Sequence, residues 1–553
     1  MNLNKLLTAL RQRTNAPARN LPAERHERYT HALEQFLDGH QPAVRLGGVY
    51  TLANLADEWL ADDSLPEQVR REEAQTIIDA LTECIRTPYP LAQKRQILES
   101  DEAPEGYEGD FTRAQEALRE EQLVRRTVFM EFSRRLAAAA ESNKEGNGES
   151  QHTVPLISPT WADLRFDFGG APIFYPLQQL YFQNANFASA TFYGPADFFG
   201  ATFHGDTSFS AAQFTADASF QGANFNDWVG FSAAHFAGAA EFSGARFADV
   251  ASFATVAFTG EVDFSDAVFS AVADFAVSAF KSDANFSRLN TAGVASFAAV
   301  TFDGKAVFTA STFHDEAHFA ASVFNRPAVF SKSLFGGVAR FAGVVTKQSA
   351  MFSNVRFAGA ADFSGASFTQ YEDFGGARFD GDATFSRASF IALPRTRYEM
   401  DFPQYANFAN AAFTQDTDFS QTTFTAFVGF GRATFAGAVS FNGANFAGAY
   451  FAGAYFADAK FSQKADFRQT RFAYAEPSFW DSEGQQKSAR FSAQANPQDY
   501  LFEVRPESPH GFSCGEAQLL NRTFVLPVGA VLYDPDSWDE EKQEYTRVSE
   551  PAQ

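Results

Sequence analysis

Phenylalanine recurs along this chain at alternating steps of five and six residues from Phe198 to Phe390. Every second ring therefore returns after eleven residues, through positions 198, 209, 220, 231 and 242 and onward to 385, and an interleaved series runs from 203 to 390. Thr291 and Thr346 interrupt the two series. Self-similarity at so short a period is typical of a solenoid, in which each repeat contacts its neighbours.

A helical supercoil with an eleven-residue period does not fit this spacing. At roughly 100° per residue, positions 0, 5 and 11 fall at about 0°, 140° and 20°, which gives two separate stripes instead of the one apolar stripe that such a helix needs. Gly, Ser, Thr, Asp and Asn also surround the rings, and these residues favour turns and short strands. The sequence therefore predicts a β-solenoid.

A small residue stands two positions before almost every ring, as Ala196 does before Phe198. Alternation along a strand turns both residues toward the interior, and the freely varying residue between them points outward. Rings stacked at the strand spacing of about 4.8 Å would form the core without overfilling it. We predict that the core includes Phe198, Phe203, Phe209, Phe214, Phe275, Phe363, Phe368 and Phe446.

Near the end of the array the step tightens to five, at Phe441, Phe446, Phe451, Phe456 and Phe461, with units such as Ala-Gly-Ala-Tyr-Phe. These units resemble the pentapeptide repeat proteins in their Phe-centred variant, and the resemblance runs from about residue 187 to 472. It implies a mainly β fold, a right-handed quadrilateral β-helix in which each repeat makes one face. Four steps of five and six alternately give a coil of about 22 residues and about 13 coils in all.

The two ends of the chain differ from the repeats in composition. Residues 1–140 predict an α-helical domain, 141–155 a flexible linker, 156–186 an N-terminal cap of the solenoid, 187–473 the β-helix, and 474–553 a C-terminal cap whose acidic tail frays. Segments 28–35, 44–56 and 80–86 resemble the helical region that precedes the repeats in bacterial, notably actinobacterial, pentapeptide repeat proteins. No apolar run approaches 18 residues, so neither a transmembrane segment nor a signal peptide is expected and a cytoplasmic location follows as the default.

The repeat register slips between Phe390 and Phe408, where two prolines and one extra residue predict a loop. Arg395, Arg397 and Tyr398 on this loop are candidate contact residues, because Arg and Tyr are favoured at interface hot spots. A tolerated insertion with a solvated tip is the alternative.

Motifs of catalysis are missing from the sequence, which has no Gly-rich phosphate loop, Cys-x-x-Cys, His-Glu-x-x-His or nucleophile elbow. His314 and His318, with Asp315 and Glu316 between them, suggest a metal site only if positions four apart share a face, as they do on a helix and not on a strand. The two cysteines, Cys84 and Cys514, do not form a disulfide framework. We therefore expect no catalytic, cofactor or metal site and no enzymatic activity.

The net charge of −23 leaves two functions open. One is a protein-interaction scaffold with an unknown protein partner and a possible homodimer, for which direct nucleic-acid binding is not expected. The other is a DNA mimic that binds a type II topoisomerase such as gyrase, as the resemblance implies for some relatives. A duplex carries one charge per about 1.7 Å, so the repeats would need a clustered acidic face, for which Asp362, Glu372, Asp373, Asp380 and Asp382 are the candidates.

Overall fold

The computed structural model describes residues 20–38, 41–145, 160–177, 180–391, 405–425, 427–447, 454–481 and 487–553. They form two compact units, Met1–Gly238 and Ala239–Gln553. The first unit holds the helices and the first coils, and the second holds the other coils and the C-terminal segment. Over both units the solenoid has about 13 turns of parallel sheet, which confirms the predicted fold class. The predicted linker lies outside the described residues from position 146 onward.

Five α-helices occur in the described part of the first unit: α1 (Asn20–Phe36), α2 (Pro42–Leu60), α3 (Glu67–Arg86), α4 (Arg95–Leu98) and α5 (Phe111–Glu145). In α3, Ile77, Ile78, Leu81 and Ile85 recur at helical spacing and are buried, so the helix presents one apolar stripe to its neighbours. Its termini carry Glu67 and Arg86, whose charges oppose the helix dipole.

One coil of the second unit illustrates how the repeat folds. Its strands are Ala251–Ser252 on face 1, Ala257–Phe258 on face 2, Val262–Asp263 on face 3 and Val268–Phe269 on face 4. Each wall also includes its inward ring and the small inward residue before it, as in Ala251–Phe253, Val256–Phe258, Val262–Phe264 and Ala267–Phe269. Between these three-residue units, the corners from face 1 to face 2 and from face 3 to face 4 have two residues, and the other two corners have three. The alternating five and six of the sequence are therefore alternating short and long corners.

Each face is a ladder of parallel strands. In the first unit the strands are Phe166–Asp167, Ala185–Asn186, Thr207–Ser208 and Val229–Gly230 on face 1; Pro172–Ile173, Thr191–Phe192, Gln213–Phe214 and His235–Phe236 on face 2; Ala196–Asp197 and Ala218–Ser219 on face 3; and Tyr181–Gln183, Thr202–His204 and Asn224–Phe225 on face 4. In the second unit the ladders end at Tyr500–Leu501, Arg471–Phe472, Ala454–Tyr455 and Val531–Tyr533 on faces 1 to 4. Partners lie 22 residues apart in regular coils, as Asp274 and Ser296 do.

The interior consists of stacked phenylalanine rings. Phe275 lies 4.8 Å from Phe297, centroid to centroid and nearly parallel at 4°, because the ladder sets the spacing of the rings. Phe264 meets Phe275 edge to face at 5.1 Å, so rings from faces 1 and 3 interlock down the centre. The eight rings predicted for the core are each 0 or 1% exposed: Phe198, Phe203, Phe209, Phe214, Phe275, Phe363, Phe368 and Phe446.

The two interruptions of the ring series are compensated within their own repeats. Thr291 is fully buried, and Leu289 occupies the inward position that is small elsewhere. Thr346 has Val344 in the same place, also buried. Exchanging large and small between the two inward positions keeps the summed volume close to that of Ala and Phe, which close packing requires.

Helix α5 covers the first coil with aromatic side chains. Phe129 lies 4.5 Å from Phe168 and 6.5 Å from Phe187, measured between ring centroids, and Phe132 lies 5.1 Å from Phe166. Solenoid ends must be capped because their last ring layer would otherwise face water. The helices therefore pack directly on the coil that they precede.

Polar contacts fix the same junction in position. Arg86 Nη1 donates to Asp167 Oδ2 at 2.9 Å, and Arg86 Nε donates to the Gly169 carbonyl at 3.0 Å. Gln75 exchanges two hydrogen bonds of 2.9 Å with the backbone of Arg165. The bonds to Gly169 and Arg165 satisfy backbone groups at the edge of the first coil, which has no preceding strand within the described residues.

The C-terminal segment covers the last coil of the second unit. Phe502 stacks on Phe467 at 5.5 Å, and a hairpin of Cys514–Leu519 and Arg522–Pro527 follows. The expectation that the acidic tail frays is wrong. Ala552 is 1% exposed and its backbone N–H donates to the Ala530 carbonyl at 2.8 Å, because the tail hydrogen-bonds to the edge of this cap.

The two-residue corners place a residue in the left-handed region every eleven residues. Gly343 and Gly365 occupy this position with φ of 65° and 63°, and Val277 occupies it with φ of 62°. Val277 is 61% exposed, so its β-branched side chain adds strain there and little packing.

We expect Val277→Gly to raise the free energy of unfolding of the second unit by about 1 kcal/mol, because glycine adopts positive φ without strain. Thermal and denaturant melts check this value. Val307 lies on a strand of face 3, and Val307→Gly is the control that should destabilise. If both substitutions lower the stability, corner strain at Val277 is excluded.

Candidate interaction surfaces

The described residues contain no group of three or more His, Cys, Asp or Glu side chains arranged to hold a metal ion. His314 is exposed, and His318 Nε2 lies 2.8 Å from Glu316 Oε2, which also lies 3.2 Å from Arg340. This chain of contacts is a surface ion-pair network along one edge of the solenoid. The candidate sites are therefore surfaces on which a partner could rest.

Face 4 of the second unit is basic at its outward strand positions. Within the described part of the second unit, five outward strand positions of this face carry a charge, and each is an arginine or a lysine. They are Arg246, Arg356, Arg378, Lys460 and Arg490. The predicted coil of about 22 residues already places Arg356 and Arg378 on one ladder, and the structure confirms that they are register partners. Face 4 therefore presents basic side chains at its outward strand positions, although the chain as a whole is acidic.

Arg356 and Arg378 form the centre of that wall. They are register partners on adjacent strands and are 59% and 57% exposed. Asp380 lies between them, 2.8 Å from Arg356 Nε and 2.5 Å from Arg378 Nε. Burial alone would raise the pKa of Asp380, but the hydrogen bonds from both guanidinium groups outweigh burial and lower it. One shared carboxylate leaves the pair with a net positive charge.

A second basic cluster lies beside face 4 near the end of the array. Asp458 approaches Arg490 at 3.1 Å, Arg432 at 3.6 Å and Lys487 at 3.9 Å. Asp458, Arg432 and Lys487 line a cleft of about 400 Å³, together with Tyr455 and a second carboxylate, Asp481. Burial raises the pKa of the Tyr455 hydroxyl, so the side chain is a neutral aromatic donor beside the cations.

The predicted acidic cluster is not a single surface. Asp362 lies on face 1, Asp373 on face 3, and Asp380 and Asp382 lie at the corner between faces 4 and 1. Glu372 is fully buried, which corrects its assignment to the surface. The physical reason is the fold itself, because neighbours in sequence point to different walls of a four-sided coil.

Faces 1 and 3 carry acids with interruptions. At the outward strand positions of the described coils in the second unit, the acids are Asp274, Asp362, Asp418 and Asp466 on face 1 and Glu241, Asp263 and Asp373 on face 3. Asp466 is only 5% exposed. Arg340 stands among the first group, and Val307, Val329 and Met351 separate members of the second. Face 2 is uncharged from Ala257 to Asn445. At these outward strand positions, faces 1 and 3 therefore carry acids, face 2 is neutral over most of its length, and face 4 is basic.

Glu372 is the residue that sequence reasoning missed. It stands two positions before Phe374, where the repeat places a small inward residue, and it is 0% exposed. Neither carboxyl oxygen has a hydrogen-bond partner within the described residues. Burial raises its pKa well above the ordinary value of glutamate. The repeat pattern already contained the signal, since an inward position was occupied by an acid.

The predicted contact loop, with Arg395, Arg397 and Tyr398, lies outside the described residues. Its flanks are described: Ile391 ends a strand on face 2 and Tyr405 begins one on face 3. Across the described residues, no helix has both the length and the hydropathy required to cross a bilayer.

Comparison with known proteins agrees with the repeat pattern. Residues 187–235, 347–389 and 398–445 match a family model described as pentapeptide repeats, 9 copies. No curated protein and no solved structure matches the chain.

Proposed function

This chain belongs to the pentapeptide repeat family, and from that premise we propose that its solenoid is a non-enzymatic scaffold for protein interactions. One observation carries the proposal: a uniform ring-filled interior supports walls whose outward residues differ in charge from face to face. A ladder of short parallel strands holds those side chains at fixed spacing, so a partner meets a preformed surface at little entropic cost.

Face 4 is the wall that we propose for partner binding. Exposed arginines are enriched at interface hot spots, and Arg356 and Arg378 project from adjacent strands with one carboxylate between them. Their charge complements an acidic segment of a partner protein, and such complementarity accelerates association and selects the partner. A second copy of this acidic chain is among the partners that fit.

Crosslinking with matched variants tests the scaffold. We expect the purified wild-type protein to recover a stable partner, and Arg356→Ala with Arg378→Ala to lose at least about tenfold of that recovery, since a central arginine contributes more than about 1 kcal/mol. Arg340→Ala on face 1 should retain recovery. Thermal melts of all three proteins separate lost binding from lost folding. If the wild type recovers no partner, not even a second copy of itself, the scaffold function is excluded. If the face 4 double variant and Arg340→Ala recover equal amounts of partner, binding through face 4 is excluded.

The alternative function is that of a DNA mimic that binds and modulates a type II topoisomerase. The net charge of −23 favours it, but a mimic needs a continuous acidic surface. At the outward strand positions of the second unit, the acids divide between two walls and are interrupted by neutral residues and by Arg340, which supports the scaffold instead. Inhibition of gyrase supercoiling by the purified protein, or protection of gyrase from quinolones, would establish the alternative.

A further inference from the structure

Glu372 occupies a place that its neighbours on the ladder reserve for alanine. Its strand lies between Ala350–Met351 and Tyr405–Asn407 on face 3, and its register partners are Ala350 and Ala406. Phe374, two residues later, stacks on Phe352 and Phe408 at 4.8 and 4.9 Å. The carboxyl group therefore lies in a ring-lined interior.

Among the described residues, no charged group compensates the acid from the elements packed around it. On its own strand, Asp373 points outward and accepts from the backbone N–H of Gly375 and from Asn407 Nδ2. The preceding strand on face 3 places Ala350 beside Glu372. The strand after supplies Ala406 and Tyr405, whose hydroxyl lies 3.5 Å from that of Tyr371 at the corner.

The rings of the other faces carry no titratable atom, so among the described groups Tyr371, Tyr405 and Asp373 are the titratable neighbours. None of them carries a positive charge. An ionised carboxylate without a partner is unstable in such surroundings, and the closed coil therefore holds Glu372 in its neutral form.

We propose that Glu372 makes this coil a pH-dependent opening point of the solenoid. Loss of the proton to water leaves a charge that the interior does not solvate, so the strand Glu372–Asp373 must leave its ladder for the carboxylate to reach water. The open state ionises at the ordinary pKa of glutamate, about 4.3. The closed state ionises at a higher pKa because of burial.

The direction of the pH effect follows from these two states. At pH values between the two pKa values the closed form binds one more proton than the open form, so opening releases a proton. The opening equilibrium constant should therefore increase about tenfold for each pH unit in that window. Below the lower pKa both forms are protonated and the dependence disappears.

Hydrogen exchange of the backbone amides in residues 369–379, measured on the whole chain at about pH 5 and about pH 8 and corrected for intrinsic rates, tests the proposal. We expect the wild type to open at least about tenfold more at the higher pH. Glu372→Gln, which cannot ionise, should open equally at both. Glu372→Ala restores the residue of its register partners and should open less than the wild type at both pH values.

Asp362→Asn is the matched control, because Asp362 is an outward acid on face 1 and asparagine keeps its side-chain oxygen bond to the Ser364 backbone N–H. This variant should retain the pH dependence of the wild type. If the wild type and Glu372→Ala open equally and show the same pH dependence, the proposal is overturned. It is also overturned if Asp362→Asn removes the pH dependence.

Discussion

Phe275→Asp is expected to lower the free energy of unfolding of the second unit by about 5 kcal/mol or more and to fray the coils on either side. The ring is fully buried and stacks on Phe253 and Phe297 at 4.9 and 4.8 Å. Removing a buried phenylalanine costs about 3–5 kcal/mol, and burying an unpaired carboxylate adds a desolvation penalty. A denaturant melt and hydrogen exchange in coils 251–297 measure the effect.

The adjacent residue supplies the control for this prediction. Asp274 points outward, and its Oδ1 accepts from the Ala276 backbone N–H at 3.0 Å, a bond that asparagine can also accept. Asp274→Asn should therefore change stability by less than about 0.5 kcal/mol. Equal losses for the two substitutions would contradict the assignment of inward and outward positions.

Glu121→Ala is expected to destabilise the helical part of the first unit by about 3–5 kcal/mol, because removing one partner of a buried ion pair leaves uncompensated charge. The Glu121 carboxylate accepts hydrogen bonds from Arg45 Nη1 and Arg125 Nε, each at 2.6 Å. The Arg125 side chain is 2% exposed. Arg125 also donates to the carbonyls of Ile85 and Thr87. The helical circular dichroism signal during a thermal melt reports the loss.

The same ion pair predicts a dependence on pH. Burial alone would raise the pKa of Glu121, but its bonds to Arg45 and Arg125 lower it. Since the folded pKa is depressed, the contribution of Glu121 is present above the unfolded value of about 4.3 and is lost as the pH falls through the folded value. The difference in the free energy of unfolding between the wild type and Glu121→Ala should therefore become smaller at acidic pH. Glu120→Ala, at an exposed neighbour, should leave the melt unchanged, and a comparable loss there would refute the buried role of Glu121.

The spacing of phenylalanine predicted most of the solenoid, for a simple physical reason. A ladder of parallel strands repeats the same environment at each inward position. The same residue type is therefore favoured at every such position, and this preference is visible in the sequence as a fixed period. Phe198 and Phe203 at the start of that period lie inside as the spacing predicts. Each corner is also formed by residues that are adjacent in sequence. A step of five or six residues between rings therefore corresponds to a corner of two or three residues.

Contacts between distant segments are not periodic, and they were not predicted. Phe129 is one apolar residue on an amphipathic helix, and nothing local to it indicates that it covers Phe168. From the sequence alone, Glu121 is a further charged residue on α5. Its ion pair forms only because the fold places Arg45 of α2 next to it.

A disulfide between neighbouring coils tests the central claim, a four-walled coil of 22 residues with rings inside. Asp274 and Ser296 are register partners on face 1, within the Cα separation of about 4.4–6.8 Å that a disulfide spans. Asp263 lies eleven residues before Asp274, on face 3. In a background with Cys514→Ser, we predict that mild oxidation links Asp274→Cys with Ser296→Cys and leaves Asp274→Cys with Asp263→Cys reduced. Crosslinking of the second pair in place of the first would contradict the four-walled coil.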